Sequence, residues 1–377
     1  MRILILGGTA FLSAEIARQA LDTGHDVTCL ARGTASAPPA GARWLQADRS
    51  QGKAAYAEAA DAGGRDAGRR EMVGDAGRSD AGGSDAARRE NVGSDAGRRD
   101  TAGSETTGWD AVVDVSRNPG QAREALEVLA GTARHWTFIS SCSVYADHSL
   151  AGAAEDAEVL PPLAAGAGLT PDNYGEAKSA IEHWTRELAG DKAHICRAGL
   201  IGGPGDGTDR YGYWPARFAR DEEPVLIPDI PSDATQVIDV RDLAAWVLAA
   251  AGAGITGALN AVGEIVPFAA YLEEARQLTD GEAEVVAVPG EWLAGHGANY
   301  WAGPDSLPLW LPPGQDGFMA RSNDAARAAG LQLRPWMDIL RDTLADERVR
   351  GLGRERKAGL SPETERRLLR EYRAEPG

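Results

Sequence analysis

Short apolar runs alternate with amphipathic stretches through the first part of this 377-residue chain. The apolar runs predict strands at 2–6, 26–31, 43–46, 111–115, 136–140 and 194–197. Between them, apolar positions recur at helical spacing over 11–22, 121–130 and 173–188. Because strands that alternate with helices of this length are joined by right-handed crossovers, the pattern predicts an α/β fold with a doubly wound parallel sheet.

The composition of the sequence changes after residue 200, because glycine and proline become frequent at 202–207 and 224–231. Helices are predicted later, at 240–251, 267–278, 322–329, 335–346 and 362–374. We therefore interpret 1–200 as one domain and 201–346 as a smaller substrate-binding lobe, some of whose elements return to the first domain. Residues 347–377 are interpreted as a charged helical tail.

Residues 61–107 repeat one short phrase of aspartate, alanine, glycine and arginine. The segment holds almost no large apolar residue, so it cannot bury enough surface to offset its ordering entropy. We expect a solvated, disordered insertion that interrupts the first domain.

Cysteine usage and charge narrow the possible partners. Cys29, Cys142 and Cys196 are widely scattered, which predicts neither a disulfide framework nor a metal site. The net charge of −17 repels nucleic acid. The N-terminal apolar run is too short for a targeting or membrane segment. We expect a cytoplasmic protein, monomer or homodimer, that acts on a small molecule, with no nucleic-acid and no membrane partner.

A glycine-containing turn lies between the first strand and the first helix, where backbone N–H groups and the helix dipole can hold a pyrophosphate. Its residues are Gly7, Gly8, Thr9, Ala10, Phe11 and Leu12. The expected glycine spacing is incomplete, because Ala10 and Ser13 stand where two further glycines would be. The position of the turn nevertheless favours a Rossmann-type dinucleotide site.

The residue at the end of the second strand bears on the choice of cofactor. An acidic residue there bonds the ribose 2′-hydroxyl, whereas an arginine accommodates a 2′-phosphate. Here the strand is followed by Arg32. The sequence therefore favours NADP, with NAD still possible.

Tyr174 and Lys178 are four residues apart at the start of a predicted helix, which places both on one face. Lysine is rare in this chain, so chance is a weak explanation for the spacing. An ammonium beside a phenol favours the phenolate and lowers its pKa, which suits a general acid or base in carbonyl reduction. Ser140, Ser141 and Ser143 end the fifth predicted strand, where a hydroxyl can donate to a substrate oxygen.

Taken together, these motifs resemble the extended short-chain dehydrogenase/reductases, in the NAD-dependent epimerase/dehydratase group. The resemblance covers residue 1 to about residue 346 without the insertion. It also rests on 110–115, on Arg197 with the Gly203-Pro204-Gly205 turn, and on 237–244.

The resemblance implies roles for the residues that match. Tyr174 would be the catalytic acid or base, and Lys178 would tune it and hold the nicotinamide ribose. Ser141 would orient the substrate oxygen, with Ser140 and Ser143 as possible substitutes.

Further positions follow from the same resemblance. Asp48 is similar in place to the acidic residue that meets the adenine, and Val115 and Ser116 would lie beside the cofactor. Independently of the resemblance, the aromatic and basic segment 209–217 could line a site for a polar or anionic substrate, or it could equally be a structural loop. On the first interpretation, we expect Tyr213 and Arg217, together with Ser143, to contact substrate.

The function expected from the sequence is NAD(P)-dependent hydride transfer at a hydroxyl or carbonyl carbon of a small polar, sugar-like substrate. One alternative is a sugar epimerase that retains NAD. Another is a non-catalytic relative that binds a dinucleotide or RNA. Dehydration is disfavoured, because Cys142 and Ser143 stand where the family's dehydratases look as though they carry an acidic pair.

Overall fold

The computed structural model describes residues 1–65 and 108–375, apart from Ala35, Glu222, Asp280 and Glu282. Most of the predicted insertion therefore lies outside the described residues. The strands in the described ranges are β1 Arg2–Leu6, β2 Asp26–Ala31, β3 Arg43–Gln46, β4 Ala111–Asp114, β5 Trp136–Ser141, β6 Ala193–Ala198, β7 Leu200–Gly202, β8 Val225–Pro228, β9 Ala234–Asp239, β10 Gly257–Ala261, β11 Ile265–Pro267, β12 Val285–Val288, β13 Asn299–Tyr300 and β14 Ser306–Leu307.

The helices lie mostly where their periodicity predicts them. Their bounds are α1 Phe11–Asp22, α2 Ala57–Arg65, α3 Pro119–Leu129, α4 Tyr174–Ala189, α5 Tyr213–Arg220, α6 Val240–Ala253, α7 Phe268–Gln277, α8 Gly290–Gly295, α9 Asp324–Ala328, α10 Trp336–Arg350 and α11 Pro362–Ala374. In this part of the chain, no helix is long and apolar enough to cross a membrane.

The largest sheet in the described ranges has seven parallel strands in the order β10-β6-β5-β4-β1-β2-β3. Alternate residues of β1 enter opposite layers: Ile3 and Ile5 pack towards α1 and α6, while Leu4 and Leu6 pack towards α3 and α4. The order reverses between β1 and β4, so the carboxyl ends of these strands open a crevice. The predicted doubly wound parallel sheet is confirmed.

The C-terminal part returns to this sheet and also forms a separate core. β10 adds the outer strand beside β6, and α6 packs on α1. The separate core buries aromatic side chains from α5 and α7, including Trp214, Phe268 and Tyr271. α11 closes this core with Leu368 and Leu369. The charged tail is therefore a packed helix with one apolar face.

The first five residues of the predicted insertion are helical. Residues 61–65 belong to α2, whose Ala59 and Ala62 are buried. The indole of Trp109 donates to the Ala59 carbonyl at 3.1 Å. Small alanines can pack closely under an indole, so this stretch is helical although it lacks large apolar residues.

Candidate active site

The turn between β1 and α1 brings its backbone against the sheet. Gly8 has a φ of 94°, and a side-chain carbon there would lie 2.4 Å from Cys29 Sγ. A carbon on Gly7 would lie 3.0 Å from Val115 Cγ2. α1 begins after Ala10, whose side chain has no oxygen to cap the first turn, so the first N–H groups remain available to an anion. This cradle fits a dinucleotide pyrophosphate.

Ser13 replaces a glycine in the first turn of α1 without leaving an unpaired hydroxyl. Its Oγ is buried and donates to the Ala10 carbonyl at 3.0 Å. Thr9 lies half-buried in the turn, followed by half-buried Phe11 and buried Leu12. The departure from the glycine spacing is therefore absorbed within the turn itself.

The carboxyl ends of β2 and β3 bring Arg32 and Asp48 to the same edge of the sheet. Asp48 accepts from the Ser50 N–H at 2.9 Å, and this hydrogen bond lowers the pKa of the carboxyl, with a smaller contribution from Arg32. Arg32 is exposed, and no carboxylate of the described residues lies within 4 Å of it. A free guanidinium thus stands where the rule for the second strand locates the ribose 2′ position.

Tyr174 meets the serines because α4 starts very close to the end of β5. A side-chain carbon on Gly175 would lie 2.3 Å from the Ser143 carbonyl oxygen, so this approach requires a glycine. The hydroxyl of Ser141 acts on the phenol of Tyr174 and limits the rise of its pKa, and it donates to Ser143 Oγ at 3.1 Å. Three hydroxyls therefore converge at the edge of the sheet.

Lys178 ties α4 to the ends of two strands. Its Nζ donates to the carbonyls of Ser116 and Ile139, both at 2.7 Å, and lies 5.8 Å from the ring centroid of Tyr174. The side chain is only 3% exposed, and burial lowers the pKa of Lys178 to about 7. The lysine is thus held rigidly between the glycine-turn side of the crevice and the tyrosine.

The acidity of Tyr174 differs from the sequence prediction. Burial raises the pKa of the phenol above its ordinary value, against the guanidinium of Arg117, the hydrogen bond with Ser141 and the charge of Arg210. The sequence predicted that Lys178 would lower this pKa. That prediction is wrong for the protein without cofactor, because desolvation outweighs the nearby positive charges.

Ser140 belongs to a buried network behind the site. Its hydroxyl donates to Glu182 at 2.7 Å, and Arg197 donates to both oxygens of Glu182 at 3.0 and 2.9 Å. Arg197 also donates to the hydroxyl of Tyr145, which donates to Asn260 at 2.6 Å. The network braces β5, α4, β6 and β10, so Ser140 is committed to structure, whereas the Ser141 hydroxyl bonds to Ser143 at the edge of the sheet.

A cavity of about 360 Å³ opens beside Tyr174. It is lined by Ser143, Tyr145, Ala146, His148, Leu160, Pro171, Asp172, Tyr174, Gly175 and Glu176. Arg321 donates to His148 Nδ1 at 2.9 Å, and burial together with Arg321 lowers the pKa of His148 to about 4. The neutral imidazole therefore carries its proton on Nε2 and can serve as a hydrogen-bond donor.

Two residues expected at the substrate site lie elsewhere. Tyr213 is buried in the C-terminal core against Trp214. Arg217 is 2% exposed; it donates to Glu365 at 2.6 Å, to Asp221 at 3.0 Å, and to two backbone carbonyls. Its donors are satisfied within the core, so the structure does not bring Tyr213 or Arg217 to the cleft.

Comparison with known proteins identifies the family. Residues 3–261 match the profile of the NAD dependent epimerase/dehydratase family. The chain belongs to this family. A comparison with curated proteins finds no match.

Solved structures of this epimerase/dehydratase type share the fold at low sequence identity. The UDP-Glc/GlcNAc 4-epimerase from Campylobacter jejuni is 14% identical, with a TM-score of 0.60 over 92% of this chain and 99% of that one. A UDP-glucose 4-epimerase is 16% identical, with a TM-score of 0.59 over 94% and 99%. MoeE5 in complex with UDP-glucuronic acid and NAD is 15% identical, with a TM-score of 0.58 over 93% and 100%.

Sequence reasoning missed the charged residues around the tyrosine of this family member. Arg117 follows the predicted cofactor residues directly, and Arg210 lies in the segment from which Tyr213 and Arg217 were chosen instead. His148 is a lone loop histidine, and Glu182 lies one turn after Lys178 on the same helix. Arg117 could have been suspected from its place after β4, whereas the others carry no spacing signal.

Proposed function

We propose that the chain transfers hydride between a nicotinamide dinucleotide and a hydroxyl or carbonyl carbon of a small polar, sugar-like substrate. The arrangement of Ser141, Tyr174 and Lys178 at the crevice of the sheet carries this proposal. The sugar-like class is supported by solved neighbours in complex with UDP-glucuronic acid and NAD or with UDP-glucose and NAD.

The nicotinamide, when bound, supplies or takes up the hydride. During reduction, the hydroxyl of Tyr174 gives its proton to the substrate oxygen, and it takes that proton back during oxidation. Ser141 donates a hydrogen bond to the same oxygen and stabilises the negative charge that develops there. Lys178 fixes α4 against β4 and β5, and its ammonium favours the phenolate when Tyr174 has lost its proton.

The residues proposed to hold the cofactor run along one side of the crevice. Gly7, Gly8 and the residues that lead into α1, from Thr9 to Leu12, would face the pyrophosphate. Asp48 would face the adenosine, and Val115 and Ser116 would lie beside the nicotinamide half. We favour NADP because Arg32 is exposed and unpaired at the end of β2.

A second candidate is an epimerase that keeps NAD bound through its catalytic cycle. The family match and the epimerase neighbours support it. An epimerase returns the hydride to the same molecule and needs no free cofactor, whereas a reductase consumes NADPH with each turnover. Purified protein that carries NAD in near-equal amount would favour the epimerase.

The test combines cofactor binding with one conservative substitution. Energy transfer from tryptophan to NADPH and NADH is titrated, and turnover is assayed with UDP-glucose and UDP-glucuronic acid as first probes. Tyr174→Phe is expected to retain cofactor affinity and to lose turnover by about a hundredfold or more. Tyr372→Phe, in α11, is the matched control and keeps both. If neither dinucleotide binds, or if Tyr174→Phe leaves turnover intact, the proposal is wrong.

A further inference from the structure

Two arginines beside Tyr174 form no ion pair within 4 Å in the described part of the chain, although the carboxylate of Asp206 attracts Arg210 from a greater distance. The guanidinium of Arg117 lies 6.0 Å from the ring centroid of Tyr174, and Arg210 acts on the same phenol electrostatically from the loop that precedes α5. Among residues 1–65 and 108–375, no acidic side chain lies within 4 Å of either guanidinium. Two positive charges therefore act on the reacting residue.

Arg117 is exposed and Arg210 is partly buried, in a chain with 56 acidic and 39 basic residues. Arg241, Arg334 and Arg354, for example, each form an ion pair of 3.0 Å or less with a carboxylate. Burial lowers the pKa of Arg210 against the attraction of Asp206, and the positive charge of Arg117 adds to this lowering, so the two arginines oppose each other. An arrangement that holds like charges together, in a protein rich in carboxylates, is stabilised when an anion binds between them.

Arg210 is held in place rather than mobile. Its guanidinium carbon lies 4.9 Å from the ring centroid of Trp301, and its Nε donates to Thr208 at 3.3 Å. The preceding residue, Asp209, is buried with a left-handed φ of 61°. The stacked side chain is thus presented to the site from a fixed backbone.

A basic segment at the end of α10, residues 350–357, clamps this backbone. Asp209 accepts hydrogen bonds from the Arg354 guanidinium and, at 2.9 Å, from the Lys357 N–H. Arg350 donates to the Asp206 carbonyl at 2.8 Å. Asp209 is therefore a positioning residue, which orients Arg210 by tying its loop to the C-terminal part of the chain.

We propose that Arg117 and Arg210 form an anion site beside Tyr174, so that the substrate carries a carboxylate or phosphate close to its reacting carbon. The inference rests on the proposed function and adds to it the charge of the substrate. Planar guanidinium groups match both kinds of oxyanion through paired N–H donors. The bound anion neutralises both arginines and orients the substrate oxygen towards Tyr174 and Ser141.

The test uses small anions on the full chain saturated with NADP⁺ or NAD⁺. Calorimetric titrations with malonate and with inorganic phosphate distinguish a carboxylate from a phosphate site, and malonamide is the uncharged counterpart of malonate. Saturable binding of at least one anion, with none for malonamide, is expected. Arg210→Gln and Arg117→Gln should each weaken that binding by about tenfold or more. Arg341→Gln, an exposed arginine on α10, should leave it unchanged.

Asp209→Asn separates positioning from general structure. This substitution should lower the affinity for the anion by severalfold, while the affinity for the dinucleotide stays the same. Equal anion affinity in the parent and in Arg210→Gln, or binding of neither anion, overturns the inference. Failure to bind either dinucleotide instead contradicts the proposed function, and the same titrations on the free chain then decide whether the two arginines bind anions.

Discussion

The hydroxyl of Ser140 donates to the buried carboxylate of Glu182 at 2.7 Å. Its neighbour Ser141 is on the other face of β5, where its hydroxyl acts on the phenol of Tyr174 and limits the rise of its pKa. Consecutive residues of β5 present their side chains to opposite faces, so one serine braces the sheet against α4 while the next meets the crevice. The chemistry at Tyr174 is thus supported by a buried ion pair directly behind it.

Without Glu182, the protein should unfold at a markedly lower concentration of urea. Glu182→Ala leaves the 3%-exposed Arg197 without its carboxylate, and an unpaired buried charge costs about 3–5 kcal/mol. Glu187→Ala, on the exposed side of the same helix, should cost under about 0.5 kcal/mol. Urea unfolding followed by circular dichroism measures both. Similar midpoints for the two variants would count against the bracing role.

Because of Lys178, the stability of the cofactor-free protein should change with pH above pH 7. Burial lowers its pKa from 10.5 to about 7, so between these values the unfolded chain binds a proton that the folded chain has released. The free energy of unfolding of the parent should therefore rise with pH relative to that of Lys178→Met, by at most about 1.4 kcal/mol per pH unit. Below pH 7 both states hold the proton, and the difference becomes constant.

Urea unfolding at intervals from pH 6 to pH 10 measures this difference. Lys192→Met is the control, because Lys192 also donates to two carbonyls but is only partly buried. Its curve should run parallel to that of the parent. A parallel curve for Lys178→Met would instead mean that Lys178 keeps its proton throughout this range.

Arg32 should set the choice between the two nicotinamide cofactors. Arg32→Asp removes the cation expected at the 2′-phosphate and supplies a carboxylate that can accept from a ribose 2′-hydroxyl. Its affinity for NADPH should fall by about tenfold or more relative to its affinity for NADH. Arg32→Gln separates the two effects, since it should lower the affinity for NADPH without raising the affinity for NADH. Fluorescence titration gives both constants, and an unchanged ratio in both variants would refute the assignment.

Gly8 should tolerate no side chain. Gly8→Ala combines a φ of 94° with a carbon 2.4 Å from Cys29 Sγ, and strain with overpacking should cost about 2–4 kcal/mol and weaken dinucleotide binding. Gly24→Ala has a similar φ of 78° but open space around the new carbon, so only about 1–2 kcal/mol is expected. Thermal unfolding compares the two variants. Equal losses would mean that close packing at Cys29 is unimportant.

Local patterns predicted many of the elements near the site. β1, β2, β3 and α1 have the predicted bounds, because apolar periodicity and a glycine at the turn are properties of neighbouring residues. α5 was missed, since Trp214 and Phe218 follow a glycine-rich loop and are apolar for a core that forms only against α7 and α10. The same reason explains Arg217, which was expected to contact substrate and instead pairs with Glu365 on a distant helix.

The sequence by itself determined the parallel sheet, the glycine turn and the spacing of Tyr174 and Lys178, because each depends on residues within a few positions of one another. The tertiary structure decided that Ser141 and not Ser140 meets Tyr174, that Arg117 and Arg210 flank it, and that burial raises its pKa. These features depend on which distant segments pack together and on how much water they exclude, and no local spacing records either quantity.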